Sequence, residues 1–255
     1  VTLTVTSNNG LENSSTALVT IVNLNFPNIT PVAENVKYTT NPNGTAVEYN
    51  LPNLLDTCIN DGNPLSLNQL ASTPDGYTRM GVFNGHTYFI SETDAQYSEF
   101  TEGVNQIKVQ YPGAYLVSVN SEAENTFLTN FINQLDNNLF GYNFLGMTQD
   151  TADSEFYWES GEPIQYTNWA TDLYDTGSID RALLHISGSW STIDNNNPWL
   201  WAKMIIEVPY AIEQTAGIAS GSDFPVGVTT NQFTVYGKSG NSIDFNVDVN
   251  LRQAD

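Results

Sequence analysis

Two textures divide this chain, and they restrict its fold more than any other feature. At both ends apolar residues take every second position: Val1, Leu3 and Val5 alternate with threonines, and Ile243, Phe245, Val247, Val249 and Leu251 alternate with polar residues. Period two sets one face of an extended strand against a core and turns the other to solvent. The stretch from 74 to 208 is different, holding all five tryptophans (Trp158, Trp169, Trp190, Trp199, Trp201) and the helix-period patterns. Two kinds of packing are required, strand on strand from the ends and helix on strand from the middle.

The ends resemble each other. Leu3-Thr4-Val5 followed by Gly10 matches Phe233-Thr234-Val235 followed by Gly240, and a polar, glycine-containing turn follows in both places. Each predicts an antiparallel hairpin, with Ala17, Val19 and Ile21 as the second strand near the start and Ile243 to Leu251 near the end. The alternation is already under way at Val1, so residues 1–26 are expected to close a preceding module of a longer chain. Phe26-Pro27 and Pro31 mark a linker, and strands are predicted over Val36 to Thr39 and Thr45 to Tyr49 around the turn Asn41-Pro42-Asn43-Gly44.

In the middle, Phe100, Val104 and Ile107 fall at i, i+4, i+7 and predict an amphipathic helix from about Thr93 to Val109. Ala123, Phe127, Phe131, Ile132 and Leu135 mark a second helix. Ser121-Glu122-Ala123-Glu124 signs its start as a capping box, in which Ser121 accepts from the Glu124 N–H and the Glu124 carboxylate reaches back. Short aromatic strands follow, so the segment is α+β.

Two resemblances follow from particular residues. Gly44-Thr45-Ala46-Val47-Glu48-Tyr49, Pro52 and Asp56-Thr57-Cys58, continued by Ser220-Gly221-Ser222-Asp223-Phe224-Pro225-Val226-Gly227-Val228-Thr229, resemble the two halves of a hyalin repeat (HYR) module. That implies an immunoglobulin-like β-sandwich split over 27–73 and 209–252. Ile243 and Asp244 stand where that family carries a partner cysteine, leaving Cys58, the single cysteine, free. Between the halves, Ala114 to Ser121, Phe144-Leu145-Gly146-Met147, Trp158-Glu159-Ser160-Gly161-Glu162-Pro163, Tyr166-Thr167-Asn168-Trp169 and Met204-Ile205-Ile206-Glu207 resemble, in order, the C-type lectin-like domain. The resemblance covers 74–208 and implies an inserted recognition domain. Ala182 and Ile206 occupy two of its usual cysteine places, so packing must replace disulfides. The expected fold is mainly β: an immunoglobulin-like sandwich with an inserted α+β lectin-like domain, preceded by the last hairpin of another sandwich.

Sugar-binding members of the lectin family hold calcium through a loop carboxylate beside proline and through an Asn-Asp pair after a tryptophan. Here Leu173 stands at the first place and Ser191-Thr192 at the second, so the primary calcium site is not preserved. Other oxygens are near. Calcium needs about six to eight of them, and Asp172, Asp175, Asp180, Asp194 and Asn195 are the candidate ligands. Asp56 and Asp61 are candidates at a module junction. Trp158, Trp169 and Trp190 are expected in the core. Trp199 and Trp201 follow Asn195-Asn196-Asn197-Pro198 and are expected to stack on a ligand, so the candidate binding residues are Asp172, Tyr174, Asp175, Asp194, Asn195, Trp199 and Trp201.

Charge and composition narrow the partners. Seven basic residues against 28 acidic ones give a net charge of -21, which repels nucleic acid and anionic membrane alike. No apolar run is long enough for a membrane helix. No catalytic signature stands out, and neither His86 nor His185 sits in a pattern that suggests a base. The expectation is a non-enzymatic, extracellular segment of a bacterial surface adhesin, neighboured by further immunoglobulin-like modules and binding a glycan or surface protein. The alternative is a structural repeat of a surface filament or gliding-type adhesin, with the insert as spacer or subunit contact.

Overall fold

The computed structural model describes residues 2–6, 12–16, 28–30, 35–55, 64–94, 97–135, 141–151, 154–170, 180–194, 201–237 and 240–254. The strands before the first long helix are β1 (Thr2–Thr6), β2 (Glu12–Thr16), β3 (Asn28–Thr30), β4 (Asn35–Thr39), β5 (Thr45–Ala46), β6 (Asn53–Leu55), β7 (Pro64–Ser66), β8 (Tyr77–Phe83) and β9 (His86–Ser91), with the short helix α1 (Leu67–Ala71) after β7. Then come α2 (Tyr97–Gln110), β10 (Tyr115–Leu116), α3 (Glu122–Ile132), β11 (Tyr142–Thr148), β12 (Tyr157–Trp158), β13 (Asp180–His185), β14 (Trp190–Asp194) and β15 (Lys203–Val208). The chain closes with β16 (Ala211–Ala216), β17 (Asp223–Phe224), β18 (Gly227–Tyr236) and β19 (Ser242–Gln253).

The middle of the chain builds one sheet in the order β14-β13-β11-β15-β9-β8, with β10 also on β15 and β12 also on β11. Strands β11 and β15 run parallel, and the other pairs are antiparallel. Both faces of this sheet are covered. Phe89, Phe144, Leu183, Met204, Ile206 and Val208 pack with Ile107 and Tyr111 of the α2 side. Tyr88, Ile90, Leu145, Met147, Leu184 and Ile205 pack with Leu128 and Ile132 of α3. Adjacent residues of one strand enter different clusters, as period two requires. Gly146 sits where a Cβ would lie 2.3 Å from the Leu116 carbonyl oxygen, so only glycine lets β11 approach that strand. Ala182 and Ile206, at the places of the usual cysteines, are wholly buried.

A second sheet takes the order β16-β18-β19-β4, with β4 parallel to β19 although the whole middle segment separates them in sequence. Strands β17 and β5 pair beside it, and β3, β6 and β7 make a three-stranded sheet. The turn at Asn41 closes as its residues require: the Gly44 N–H donates to the Asn41 carbonyl, and Gly44 has φ +98 with the Phe224 carbonyl oxygen 1.9 Å from where a Cβ would stand. Regular pairing ends at Ala46, short of the expected Tyr49, because the next N–H groups turn to other partners. Val47 donates to the Ser222 carbonyl and Tyr49 to Ser220 Oγ. The final hairpin pairs Phe233 with Phe245 and Val235 with Ile243.

One core cluster runs through both sheets. It joins Phe89, Tyr111 and Ile206 to Leu67, Leu70, Tyr210, Phe233 and Val249. Polar ties follow the same seam: Arg79 donates to the Leu70 and Ile212 carbonyls, Tyr210 to the Pro112 carbonyl, and Tyr111 to the Gln69 and Ser72 carbonyls.

Two further boundaries differ from expectation. Strand β1 pairs with Glu12–Thr16, in the register Thr6 opposite Glu12, because the strand that forms is the one directly after the turn. Ala17, Val19 and Ile21 lie outside the described residues. The first long helix starts at Tyr97 and not near Thr93. Buried Lys203 explains the delay, since its ammonium takes the Ser91 and Glu92 carbonyls and Ser91 Oγ takes that of Thr93, so these residues turn toward the sheet.

Candidate functional site

The tryptophans set the base of the expected binding loop. Trp158 and Trp190 are fully buried and meet edge to face with centroids 5.8 Å apart, while Trp169 and Tyr166 close on Trp190 at 5.6 and 5.7 Å. Both buried indoles have partners: Trp158 donates to Asn120 Oδ1 and Trp190 to Asn125 Oδ1. Backbone bonds complete a clamp, with Trp190 N–H donating to the Asn168 carbonyl and Ala170 N–H to that of Trp190. The chain leaves this clamp at Ala170 and re-enters the sheet at Asp180.

Of the expected site residues, Asp172, Tyr174, Asp175, Asn195 and Trp199 lie outside the described residues, as do Cys58, Asp56 and Asp61. Asp180 and Asp194 stand directly opposite at the open end of the β13–β14 hairpin, so two of the five candidate calcium positions share one place. Among the described residues no group of three or more His, Cys, Asp or Glu side chains is arranged to hold a metal ion. Trp201 is 41% exposed, unlike the clamp residues Trp158 and Trp190.

A second constellation lies on the α3 face of the sheet. Ser121 caps α3 as its sequence predicts, with Oγ accepting from the Glu124 N–H at 3.1 Å. The Glu124 carboxylate does not return to the Ser121 N–H. Its Oε2 accepts from the Asn120 N–H at 2.9 Å and its Oε1 from the Tyr88 hydroxyl at 2.6 Å, and only 7% of the residue is exposed. The same tyrosine hydroxyl lies 3.5 Å from Glu207 Oε1. Glu207, 2% exposed at the end of β15, also meets His86 Nδ1 at 2.5 Å, the Tyr115 hydroxyl at 3.1 Å and the Ser118 N–H at 3.0 Å. Tyr115 in turn lies 3.2 Å from Glu162 Oε1, and Asn120 Nδ2 donates to Glu162 Oε2 at 3.0 Å.

Three carboxylates are thus strung together by two tyrosine hydroxyls. Burial and the negative field of Glu207 push the Glu124 carboxyl up to about 7, and the same two causes raise Glu162. Burial alone would push His86 down, but its bond to Glu207 and the fields of Glu207, Glu162 and Glu124 outweigh that and hold the imidazole above its ordinary range. Tyr88 and Tyr115 are raised by burial and by the same carboxylates, so both hydroxyls remain proton donors. A cavity of about 340 Å³ opens onto this network. His185 is unrelated: it is half-buried, bonded to Ser191 Oγ at 2.6 Å and pushed below its ordinary range by burial.

The sequence pointed to Glu124 as a cap and to Glu162 and Glu207 as motif members, but not to their meeting. Period two carried one usable signal, for His86 and Tyr88 project on the same side of β9 in a stretch that is otherwise apolar or small.

Residues 109–202 match the family model described as lectin C-type domain. The chain carries a C-type lectin-like domain. Among curated proteins it is similar to Lectin BRA-3 of Megabalanus rosa, 24% identical over 131 residues, which are 49% of this chain and 74% of that protein. It is also similar to the low affinity immunoglobulin epsilon Fc receptor of Mus musculus, 31% identical over 78 residues, 30% of this chain and 22% of that protein. Among solved structures, C-type lectin CEL-I from Cucumaria echinata is 18% identical, with 53% of this chain and 96% of that one covered and a TM-score of 0.43. The cow C-type carbohydrate-recognition domain of CD23, solved with a GlcNAc2Man3 oligosaccharide, is also 18% identical, with 53% and 95% covered and a TM-score of 0.41. The clamp residues Trp158, Trp169 and Trp190 lie within 109–202, as do Tyr115, Glu124 and Glu162 of the acidic network, whereas His86, Tyr88 and Glu207 lie outside it.

Proposed function

We propose that this chain is a non-enzymatic recognition segment of an extracellular bacterial surface adhesin. The lectin-like domain, 74–208, is its head and binds a glycan or a surface protein. The stalk is an immunoglobulin-like hyalin-repeat module over 27–73 and 209–252, neighboured by others of its kind. The match of 109–202 to the lectin C-type domain carries this reading. The similarity to Lectin BRA-3, a lectin by its name, supports a glycan partner. The clamp on Trp190 fixes the chain at Asn168 to Ala170, and Trp201 is an exposed aromatic ring that a ligand could stack on. Among the described residues no helix is long and apolar enough to cross a membrane.

Calcium enters this reading through Asp172, Asp175, Asp180, Asp194 and Asn195, with the paired positions Asp180 and Asp194 as its nucleus. A displaced site of this kind would give calcium-dependent binding without the family's usual loop motif. The test is a screen of the full chain against immobilised glycans and surface proteins, in calcium and then in chelator. Retention of at least one ligand class supports the reading; silence on every ligand in both conditions counts against it.

One observation favours the structural alternative, in which the domain is a spacer or subunit contact of a surface filament. The core cluster continues without a break from the lectin-like domain into the sheet formed by the chain's ends, as a rigid spacer requires. Concentration-dependent self-association of the full chain, with an empty ligand screen, would select it.

A further inference from the structure

The network around Glu207 joins separate pieces of chain: β9 through His86 and Tyr88, β10 through Tyr115, the start of α3 through Glu124, and the segment after β12 through Glu162. These, with Glu207 on β15, are the titratable groups that face one another there. Among the described residues, His86 is the one cation bonded to these carboxylates. Three buried or half-buried carboxylates against one imidazole leave an uncompensated charge, which is costly away from water. Protons relieve that cost, and the cavity beside His86, Glu124 and Glu162 gives them a path.

We propose that this network is a proton-operated latch: with His86 charged and Glu124 neutral it holds the segment from Glu159 to Gln165 on Tyr115 and Asn120, and loss of those protons releases Glu162 and loosens that segment. The mechanical link is short. Glu162 is tied to Tyr115 and Asn120, Gln165 N–H donates to Asn120 Oδ1, and the chain then runs through Tyr166 to the Trp169–Trp190 clamp. Loosening at Glu162 therefore reaches the Trp169–Trp190 contact. Glu159 holds a separate contact, with Arg181 at 2.7 Å, that keeps the far side of the segment on β13 when the latch opens.

The sign is the same for both groups. His86 and Glu124 each hold a proton more tightly in the folded chain than in the unfolded one, so folding stability from them is present at low pH and lost as pH rises through the folded values. The test is hydrogen exchange read by mass spectrometry on the full chain, in chelator, at about pH 6 and about pH 8.5, corrected for the intrinsic exchange rate. Protection of 159–167 should fall about tenfold or more on going to the higher pH while that of β13 and β15 holds. Glu124→Gln, which keeps a neutral side chain at every pH, should flatten this dependence. If circular dichroism shows that this variant does not fold, Glu162→Gln on the half-buried group carries the same test. Protection independent of pH in the native chain, or an unchanged dependence in the folded variants, overturns the latch. No ligand is used, so the outcome stands apart from the recognition role.

Discussion

Replacing Trp190 with phenylalanine measures how far packing stands in for the missing disulfides. The indole is fully buried, meets three aromatic rings and donates from Nε1 to Asn125 Oδ1 at 2.8 Å. Phenylalanine keeps a ring but vacates part of the site and leaves Asn125 Oδ1 without its donor. An unsatisfied buried acceptor costs about 1–3 kcal/mol, and the vacated volume adds about 1 kcal/mol at ~24 cal/mol per Å³, so Trp190→Phe should lose roughly 2–4 kcal/mol. Asn125→Ala strips the same bond from the other side. It leaves the Gly188 carbonyl satisfied, because Asn168 Nδ2 also donates there at 2.8 Å. In the double variant neither orphan remains, so the two losses should fall short of adding by about 1–2 kcal/mol. The assay is urea unfolding followed by far-ultraviolet circular dichroism on the native chain, both single variants and the double. Additivity to within about 0.5 kcal/mol would show that the bond is not coupled and that the clamp is plain apolar packing.

Other outcomes are equally specific. The chain has two histidines, and they should titrate on opposite sides of the ordinary value of about 6.5, His86 above and His185 below, as nuclear magnetic resonance of the imidazole carbons will show. Global stability should decline as pH rises through about 7, with Glu124 alone contributing on the order of 3 kcal/mol between its unfolded and folded values, measured as urea midpoints across pH. Gly146→Ala should cost more than about 2 kcal/mol or abolish soluble expression, since its Cβ would sit 2.3 Å from the Leu116 carbonyl oxygen; a change in unfolding midpoint near zero would contradict the close approach.

Much of the fold could be read from pattern. The final hairpin, both long helices, the Ser121 cap and the burial of Trp158 and Trp190 each have a local cause, either period two, period 3.6 or a side chain bonding its own turn. What could not be read depends on partners far apart in sequence. The delayed start of α2 is set by Lys203, more than a hundred residues later, and the Glu124 carboxylate leaves its expected capping bond for Tyr88 and the neighbourhood of Glu207. Local rules rank Glu124 as a helix cap because they contain no term for a strand passing overhead. The same limit hid the acidic network. Glu162 and Glu207 stood in recognised motifs, but their convergence on His86 is a property of sheet order, β15 beside β9, that no spacing encodes. The expected loop site could be read only as a composition of oxygens and aromatic rings; strand register adds that Asp180 and Asp194 face each other across the hairpin.

The recognition account is tested most directly by titrating the best ligand from the screen, by calorimetry, into the native chain, Trp201→Ala and Tyr38→Ala. Trp201 is exposed just before β15, and Tyr38, 65% exposed, lies on β4 of the other sheet. The account predicts an affinity loss of about tenfold or more for Trp201→Ala, the size of one aromatic contact of about 1.4 kcal/mol, with Tyr38→Ala unchanged. Loss of binding in Tyr38→Ala with Trp201→Ala intact would move recognition off the lectin-like domain and contradict the account.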